Sequence, residues 1–242
     1  MRYLIEPKNG IWVATHYNLD NAILRGQILG SDVCISDLDE TDARSPGKIL
    51  AYRDIFSKRI FDPRFLTWSF ITAQKLLTHG RVAESDAWEK YVELFLSNPS
   101  DRESAMGIFT EDVILKLLYP GVRELYSILP SEMYKIYLSR NIPEAVQPFA
   151  DFLGFQEIST EVSDKGSVTA QFVEEHPEVR SYFVKGDSEE DEGILDALIF
   201  YMDRRTIDYV VSSYVASSLS NTNPKFTINL GRNYLGLVKI LS

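Results

Sequence analysis

Two aspartates stand one residue apart at Asp37 and Asp39, with Thr41 two positions further on, directly after the apolar run Val33-Cys34-Ile35. Like charges held that close are costly unless a cation lies between them or one carboxyl keeps its proton. Two more apolar runs end in polar groups. Residues 135–138 (Lys-Ile-Tyr-Leu) lead to Ser139, and residues 181–185 lead to Gly186, Asp187 and, four positions later, Asp191. Four carboxylates with no His or Cys companions are oxygen ligands, which suit a hard cation. Mg²⁺ fits them best, because it binds through a few carboxylates together with waters and substrate phosphate. A carboxylate pair at such a cation suits phosphate chemistry. One aspartate attacks to form an aspartyl-phosphate, and the other protonates the leaving oxygen and then activates water. A hydroxyl and a lysine would hold the phosphoryl oxygens. Ser139 is the candidate hydroxyl, and the residues alone leave Lys165 and Lys185 open for the lysine. The plain alternative for residues 37–41 is a solvated acidic turn after a strand.

These groups converge only if the elements carrying them share an edge. Short apolar runs of this kind read as strands buried on both faces of a parallel sheet. In open α/β sheets ligands bind just beyond the carboxyl ends of the strands. From residue 119 onward strands and helices alternate: a helix at 123–129, a strand at 135–139, a helix at 143–153 and a short strand at 155–161. A helix follows at 168–175, then a strand at 181–185, a helix at 193–202 and a strand at 207–212. That order predicts a three-layer α/β/α core of Rossmann-like type around a central parallel sheet. Between the first strand and residue 119 the signals are helical instead, over 48–61, 64–78 (opened by Pro63), 84–96 and 102–118, the last broken near Gly107. Trp88, Tyr91, Val92 and Phe95 fall at helical spacing and read as a packing face. The expected organisation is an α/β core over 1–45 and 119–242, with an all-helical module inserted at 46–118. Residues 1–30 form a leader packed on the core, with Trp12, Val13 and Tyr17 in a packed segment and a helix through Ala22 and Gly26. His16 reads as a surface or structural histidine.

The order and spacing of the four polar strand ends resemble the haloacid dehalogenase superfamily of hydrolases, in its phosphatase branch. Asp37-Leu38-Asp39-Glu40-Thr41 matches the family's opening Asp-x-Asp-x-Thr, and Gly186, Asp187 and Asp191 match its closing Gly-Asp-x-x-x-Asp. The resemblance implies Asp37 as nucleophile and Asp39 as general acid/base, with Asp39 also lending its backbone carbonyl to the metal. It implies Ser139 and, in preference to Lys185, Lys165 at the entrance to the helix before the last motif strand as phosphate-binding groups, and a Mg²⁺ site built from Asp37, Asp39, Asp187 and Asp191, supported by Thr41 and Gly186. A helical module between the first and second motifs is similar to the cap of phosphoserine and phosphoglycolate phosphatases. It implies a small phosphorylated metabolite as substrate, with Arg53, Lys58 and Arg59 as candidate anion readers on an otherwise solvated helix face. A phosphomutase or phosphotransferase using the same intermediate is the nearest alternative, and a non-catalytic binder of phosphate ligands is the next.

The bulk properties narrow the partners. A net charge of −10 argues against a nucleic-acid surface, which needs clustered Lys and Arg. The single cysteine, Cys34, excludes an intrachain disulfide and a thiol-rich zinc site. Its place inside an apolar run makes it a poor nucleophile. There is no apolar run long enough to span a bilayer and no visible signal peptide, so a cytoplasmic monomer or homodimer with no membrane partner is expected.

Overall fold

The computed structural model describes residues 3–4, 12–15, 21–56, 60–79, 82–214, 226–229 and 233–242. His16, Tyr17, Lys58 and Arg59 lie outside these residues, as do the side chains of Trp12, Val13, Glu189 and Glu190. The chain divides into two compact units, Met1–Arg44 with Leu117–Ser242, and Ser45–Lys116.

The first unit carries an eight-stranded sheet among the described residues. Its strands are β1 (Tyr3–Leu4), β2 (Trp12–Thr15), β3 (Val33–Ser36), β4 (Tyr134–Leu138), β5 (Glu157–Ser159), β6 (Ser181–Gly186), β7 (Tyr209–Tyr214) and β8 (Phe226–Asn229). They lie in the order β1-β2-β8-β7-β6-β3-β4-β5. The six strands from β8 to β5 are parallel to their neighbours, and β2 and β1 close the far edge antiparallel. From β3 the chain winds outward through β4 and β5, then returns to β3's other side and winds out through β6, β7 and β8. The reversal opens a crevice at the carboxyl ends of β3 and β6, where α/β sheets take their ligands.

Both faces of the central strands are buried, but they differ in polarity. Val33 and Ile35 of β3, Ile136 and Leu138 of β4, and Tyr182 and Val184 of β6 join one apolar cluster. Two helices, α9 (Lys165–Glu175) and α10 (Glu189–Asp203), complete it through Val173, Ile194, Leu195 and Leu198. Period-two alternation sends the intervening residues to the opposite face. There Cys34, Ser36, Tyr137 and Lys185 are buried beside Tyr126 of helix α7 (Val122–Ile128) and Tyr234, the residue that opens helix α11 (Leu235–Leu241). Helices α1 (Asn21–Leu29) and α8 (Pro143–Leu153) complete the unit.

Gly121 holds α7 and α11 together. Its φ is +86°, and a Cβ there would lie 2.6 Å from the Leu235 backbone nitrogen and 2.7 Å from the Tyr234 carbonyl carbon. Only glycine meets both demands.

The second unit contains five helices among its described residues: α2 (Pro46–Asp54), α3 (Pro63–His79), α4 (Val82–Phe95), α5 (Pro99–Met106) and α6 (Glu111–Leu117). The sequence pattern suggested four. The extra element arises because the expected helix over 102–118 is two, parted at Gly107 and restarted at Thr110, whose carbonyl accepts from Val113 and Ile114. Asn98 opens α5, its Oδ1 accepting from the Ser100 amide at 3.1 Å, with Pro99 at the first helical position. The stripe read from spacing is a packing face: Tyr91 and Phe95 are buried, with ring centroids 5.1 Å apart, and Trp68 of α3 lies edge-on to Tyr91 at 5.1 Å. Tyr91 donates to buried Asp54 at 2.8 Å.

Two helices of the first unit begin earlier than apolar periodicity indicates. For α9 the start is Lys165, because Asp164 caps it by accepting from the Ser167 amide at 3.0 Å. For α10 it is Glu189, because Ser188 and Asp191 form a reciprocal capping box. Polar first turns of this kind are invisible to a hydrophobic-period reading. The tail, left undetermined by the sequence pattern, supplies β8 and α11.

Candidate active site

The site is built at the β3/β6 crevice. The Asp37 amide donates to the Lys185 carbonyl at 3.1 Å, so the β3–β6 ladder carries Asp37 to the sheet's edge. The chain then folds back sharply. The amides of Asp42 and Ala43 both donate to the Leu38 carbonyl at 3.0 Å, and the Glu40 amide donates to the Ala43 carbonyl at 2.8 Å, with Glu40 at a φ of +58°. Asp39 is half-buried in this turn, and Thr41 is buried beneath it with its Oγ1 3.4 Å from Asp187 Oδ1.

Asp191 is held from several directions. Its Oδ2 accepts from the Asp187 amide at 2.9 Å, the Ser188 amide at 3.1 Å and the Ser188 hydroxyl at 3.0 Å. Its Oδ1 accepts from Lys165 Nζ at 2.6 Å, and the same ammonium reaches Asp37 Oδ1 at 2.9 Å. Two glycines let this happen. A Cβ on Gly166 would come within 2.9 Å of the Gly193 carbonyl oxygen, so its absence lets α9 approach α10 and brings Lys165 to Asp191. A Cβ on Gly186 would lie 2.5 Å from the Asp191 Cβ and 2.7 Å from its Oδ2. Gly186→Ala is therefore expected to push Asp191 off Lys165, lowering the melting temperature by about 4–10 °C, as for an overpacked core site. Thermal unfolding followed by circular dichroism measures this; an unchanged melting temperature would mean that Asp191 yields freely.

Ligand oxygens of Asp37, Asp187 and Asp191 lie within 4.8 Å of one another. At that spacing two carboxylates repel by roughly 3–4 kcal/mol at an effective dielectric near 20. Lys165 offsets part of this. One ammonium among three carboxylates leaves two negative charges, which one divalent cation matches, and an all-oxygen donor set suits a hard one. Burial first, then Asp191 and Asp39, push the Asp37 carboxyl well above its ordinary range, while Lys165 pulls it down. Burial alone would favour a neutral Lys165, but Asp37 and Asp191 outweigh it and hold the ammonium above its usual value.

The remaining sequence candidates fall as follows. Ser139 directly follows β4, is buried, and receives the Asn141 amide at 3.2 Å on its hydroxyl oxygen. Lys165, on the apolar-face helix α9, is beside Asp37. Lys185 points to the opposite face of the sheet and pairs with Asp42. Arg53 is exposed on α2. Cys34 is buried, and desolvation pushes its thiol up to about 12, which makes it inert. Sequence reasoning missed Asp42, Tyr126, Tyr137 and Tyr234. The only available signal was an acid immediately after Thr41, at the start of a segment with no strand pattern.

No family model and no curated protein matches the sequence. Among solved structures, the chain is similar to a protein from Lactobacillus plantarum provisionally described as a phosphoglycolate phosphatase. The identity is 15%, 76% of this chain and 86% of that one are covered, and the TM-score is 0.41. It is also similar to a protein from Burkholderia xenovorans LB400 provisionally described as a haloacid dehalogenase-like hydrolase, at 13% identity, 76% and 81% coverage and a TM-score of 0.45. Likenesses of this strength assign no function. That rests on the residues at the sheet edge.

Proposed function

We propose that this protein is a phosphatase of the haloacid dehalogenase type, which hydrolyses a small phosphorylated metabolite through an aspartyl-phosphate on Asp37. The observation that carries the reading is the buried triad of Asp37, Lys165 and Asp191 at the end of β3, with Asp187 beside it and Asp39 two residues beyond the nucleophile. Asp37, Asp187 and Asp191, joined by the backbone carbonyl of Asp39, would hold Mg²⁺, which when bound neutralises charge on the phosphoryl oxygens. An Asp37 oxygen attacks phosphorus, and the ester P–O bond breaks. Asp39, half-buried and therefore reachable by solvent, protonates the leaving oxygen. It then takes a proton from the water that attacks the acyl phosphate, releasing inorganic phosphate and restoring Asp37. Lys165 keeps Asp37 oriented and opposes the burial that favours its neutral form. Ser139 is assigned to the phosphoryl oxygens. The unit Ser45–Lys116 is assigned the selection among phosphomonoesters.

Release of phosphate from p-nitrophenyl phosphate that requires added Mg²⁺ tests the reading, followed by a panel of phosphorylated metabolites. No turnover by folded protein on any of them would overturn it. Phosphate appearing on an added sugar hydroxyl in place of water would reassign the reaction to phosphoryl transfer. Asp39→Asn separates the two aspartates. It is expected to lose turnover by about 10²–10⁴-fold, the usual contribution of a general acid–base group. It should still accumulate phosphate on Asp37 when given a substrate whose leaving group needs no proton, such as p-nitrophenyl phosphate. Intact-protein mass spectrometry after acid quench measures the adduct.

A further inference from the structure

Asp42 and Lys185 are each wholly buried and form an ion pair on the polar face of the sheet, away from the Asp37–Lys165 pair. The Asp42 carboxylate is saturated with donors. Oδ1 accepts from Lys185, and Oδ2 accepts from Tyr126 at 2.5 Å, Tyr137 at 3.0 Å and Ser36 Oγ at 3.1 Å. Lys185 in turn donates to the Tyr126 hydroxyl at 2.8 Å and lies 4.3 and 4.5 Å from the ring centres of Tyr126 and Tyr234. Tyr234 donates to the Thr41 carbonyl at 3.0 Å, and the Asp42 carbonyl accepts from the Tyr119 amide at 2.9 Å.

The position of this pair matters more than its strength. Desolvating two charges costs about as much as their attraction returns, so an uncharged pair that kept the tyrosine hydrogen bonds would serve the fold about as well. What an uncharged pair cannot supply is direction. Asp42 ends the turn that holds Asp37 and Asp39, and Lys185 immediately precedes Gly186 and Asp187. The pair therefore ties the loop after β3 to the end of β6, the two elements that must hold their carboxylates in register. Buried, fully satisfied polar networks are best attested as devices that select one arrangement among several.

We propose that Asp42 and Lys185 are positioning residues, which with Tyr126 and Tyr137 lock the loop of residues 37–43 against β6 so that Asp37, Asp39 and Asp187 keep their reactive geometry. The effect on turnover rests on the phosphatase reading; the effect on the loop does not.

The test is the double substitution Asp42→Asn with Lys185→Met, which removes both charges at similar volume and leaves an amide oxygen to accept from Tyr126 and Tyr137, measured beside Tyr126→Phe. The double variant should fold with a melting temperature within a few degrees of the parent, because the tyrosine hydroxyls keep an acceptor. Its kcat on p-nitrophenyl phosphate should fall by about 10²-fold, the usual effect of misplacing a catalytic group by an ångström, with KM within threefold of the parent value. Amide hydrogen exchange should accelerate at least tenfold over residues 38–43 and stay unchanged in β4 and α10. Tyr126→Phe, which removes one contact to each partner, should show a smaller change of the same kind. Unchanged kcat and unchanged exchange in the folded double variant would overturn the proposal, as would collapse of the double variant together with parent-like kcat and exchange in Tyr126→Phe. If the parent itself hydrolyses nothing, the phosphatase reading fails, and the exchange result alone still decides whether the pair holds the loop.

Discussion

Asp37→Asn is expected to abolish phosphate release, with kcat at least about 10⁴-fold below the parent, the scale seen when a nucleophile is removed from a preorganised site. Asp191 is committed to Lys165 and to the first turn of α10, and Asp39 sits two residues on, inside the turn that follows β3. The same substitution should have the opposite effect on stability. The Asp37 carboxyl is held well above its ordinary range, chiefly by burial. A group whose folded pKa is raised contributes stability below its unfolded value near 4 and loses it as pH rises through the folded value. Metal-free parent protein should therefore lose melting temperature as pH rises through that raised value. Asp37→Asn should be less sensitive to pH there and melt a few degrees higher. Mg²⁺ at a hundredfold excess over its dissociation constant adds about 2.7 kcal/mol to the parent, and most of that gain should vanish in the variant. Differential scanning fluorimetry across pH, with and without Mg²⁺, measures both. A variant that melts below the metal-free parent at every pH would mean that Asp37 helps to hold the fold.

Lys165→Met is the other large effect, and it reduces stability as well as activity. Lys165 is buried, and its ammonium is held by two buried carboxylates. Removing one partner of a buried ion pair costs about 3–5 kcal/mol, because the remaining charge has no compensation. For a chain of this size the fall in melting temperature is on the order of 10 °C. Asp37 and Asp191 would then be free to take up protons, so the deficit should shrink on acidification and be greatest at alkaline pH. Turnover should drop by about 10²–10³-fold, the loss expected when a group stabilising developing charge is removed. Lys165→Arg keeps the charge but brings a larger planar group into a closed space, and should recover stability more than activity. A Lys165→Met protein that melts within 2 °C of the parent at pH 8 would contradict this account.

The parts of this structure that were legible in the sequence are those where apolar runs end abruptly. β3 and β6 are buried along their whole length and β4 over all but its first residue, and the polar ends of these strands are visible as interruptions. Less legible were elements whose signal is polar. The starts of α9 and α10 depend on the caps Asp164 and Ser188, and both were placed three or four residues late. The short β8 and α11 offer too few residues for periodicity to register. Lys165 and Lys185 could not be separated by distance from the acidic motif. The strand's alternation separates them, because Lys185 follows Tyr182 and Val184 at odd spacing and must face away from their apolar cluster. Asp42 was the largest omission. Its partners come from β3, β4, β6 and α7, so nothing near it in the sequence marks it as buried.

The central place of β3 in the sheet has a consequence for how the molecule is made on the ribosome. Val33 pairs with Tyr134 on one side and Tyr182 on the other, so the strand that leads to Asp37 emerges long before either neighbour exists. The helices of residues 45–116 make local contacts and can form while β3 waits unpaired, whereas the ladders around β3 need distant chain. Tyr234, which donates to the Thr41 carbonyl, arrives later still, well after Tyr182. The loop of residues 37–43 is thus fully held only after residue 234 has been made, and a nascent chain stalled before that residue would carry every acid of the site without the clamp that orders them.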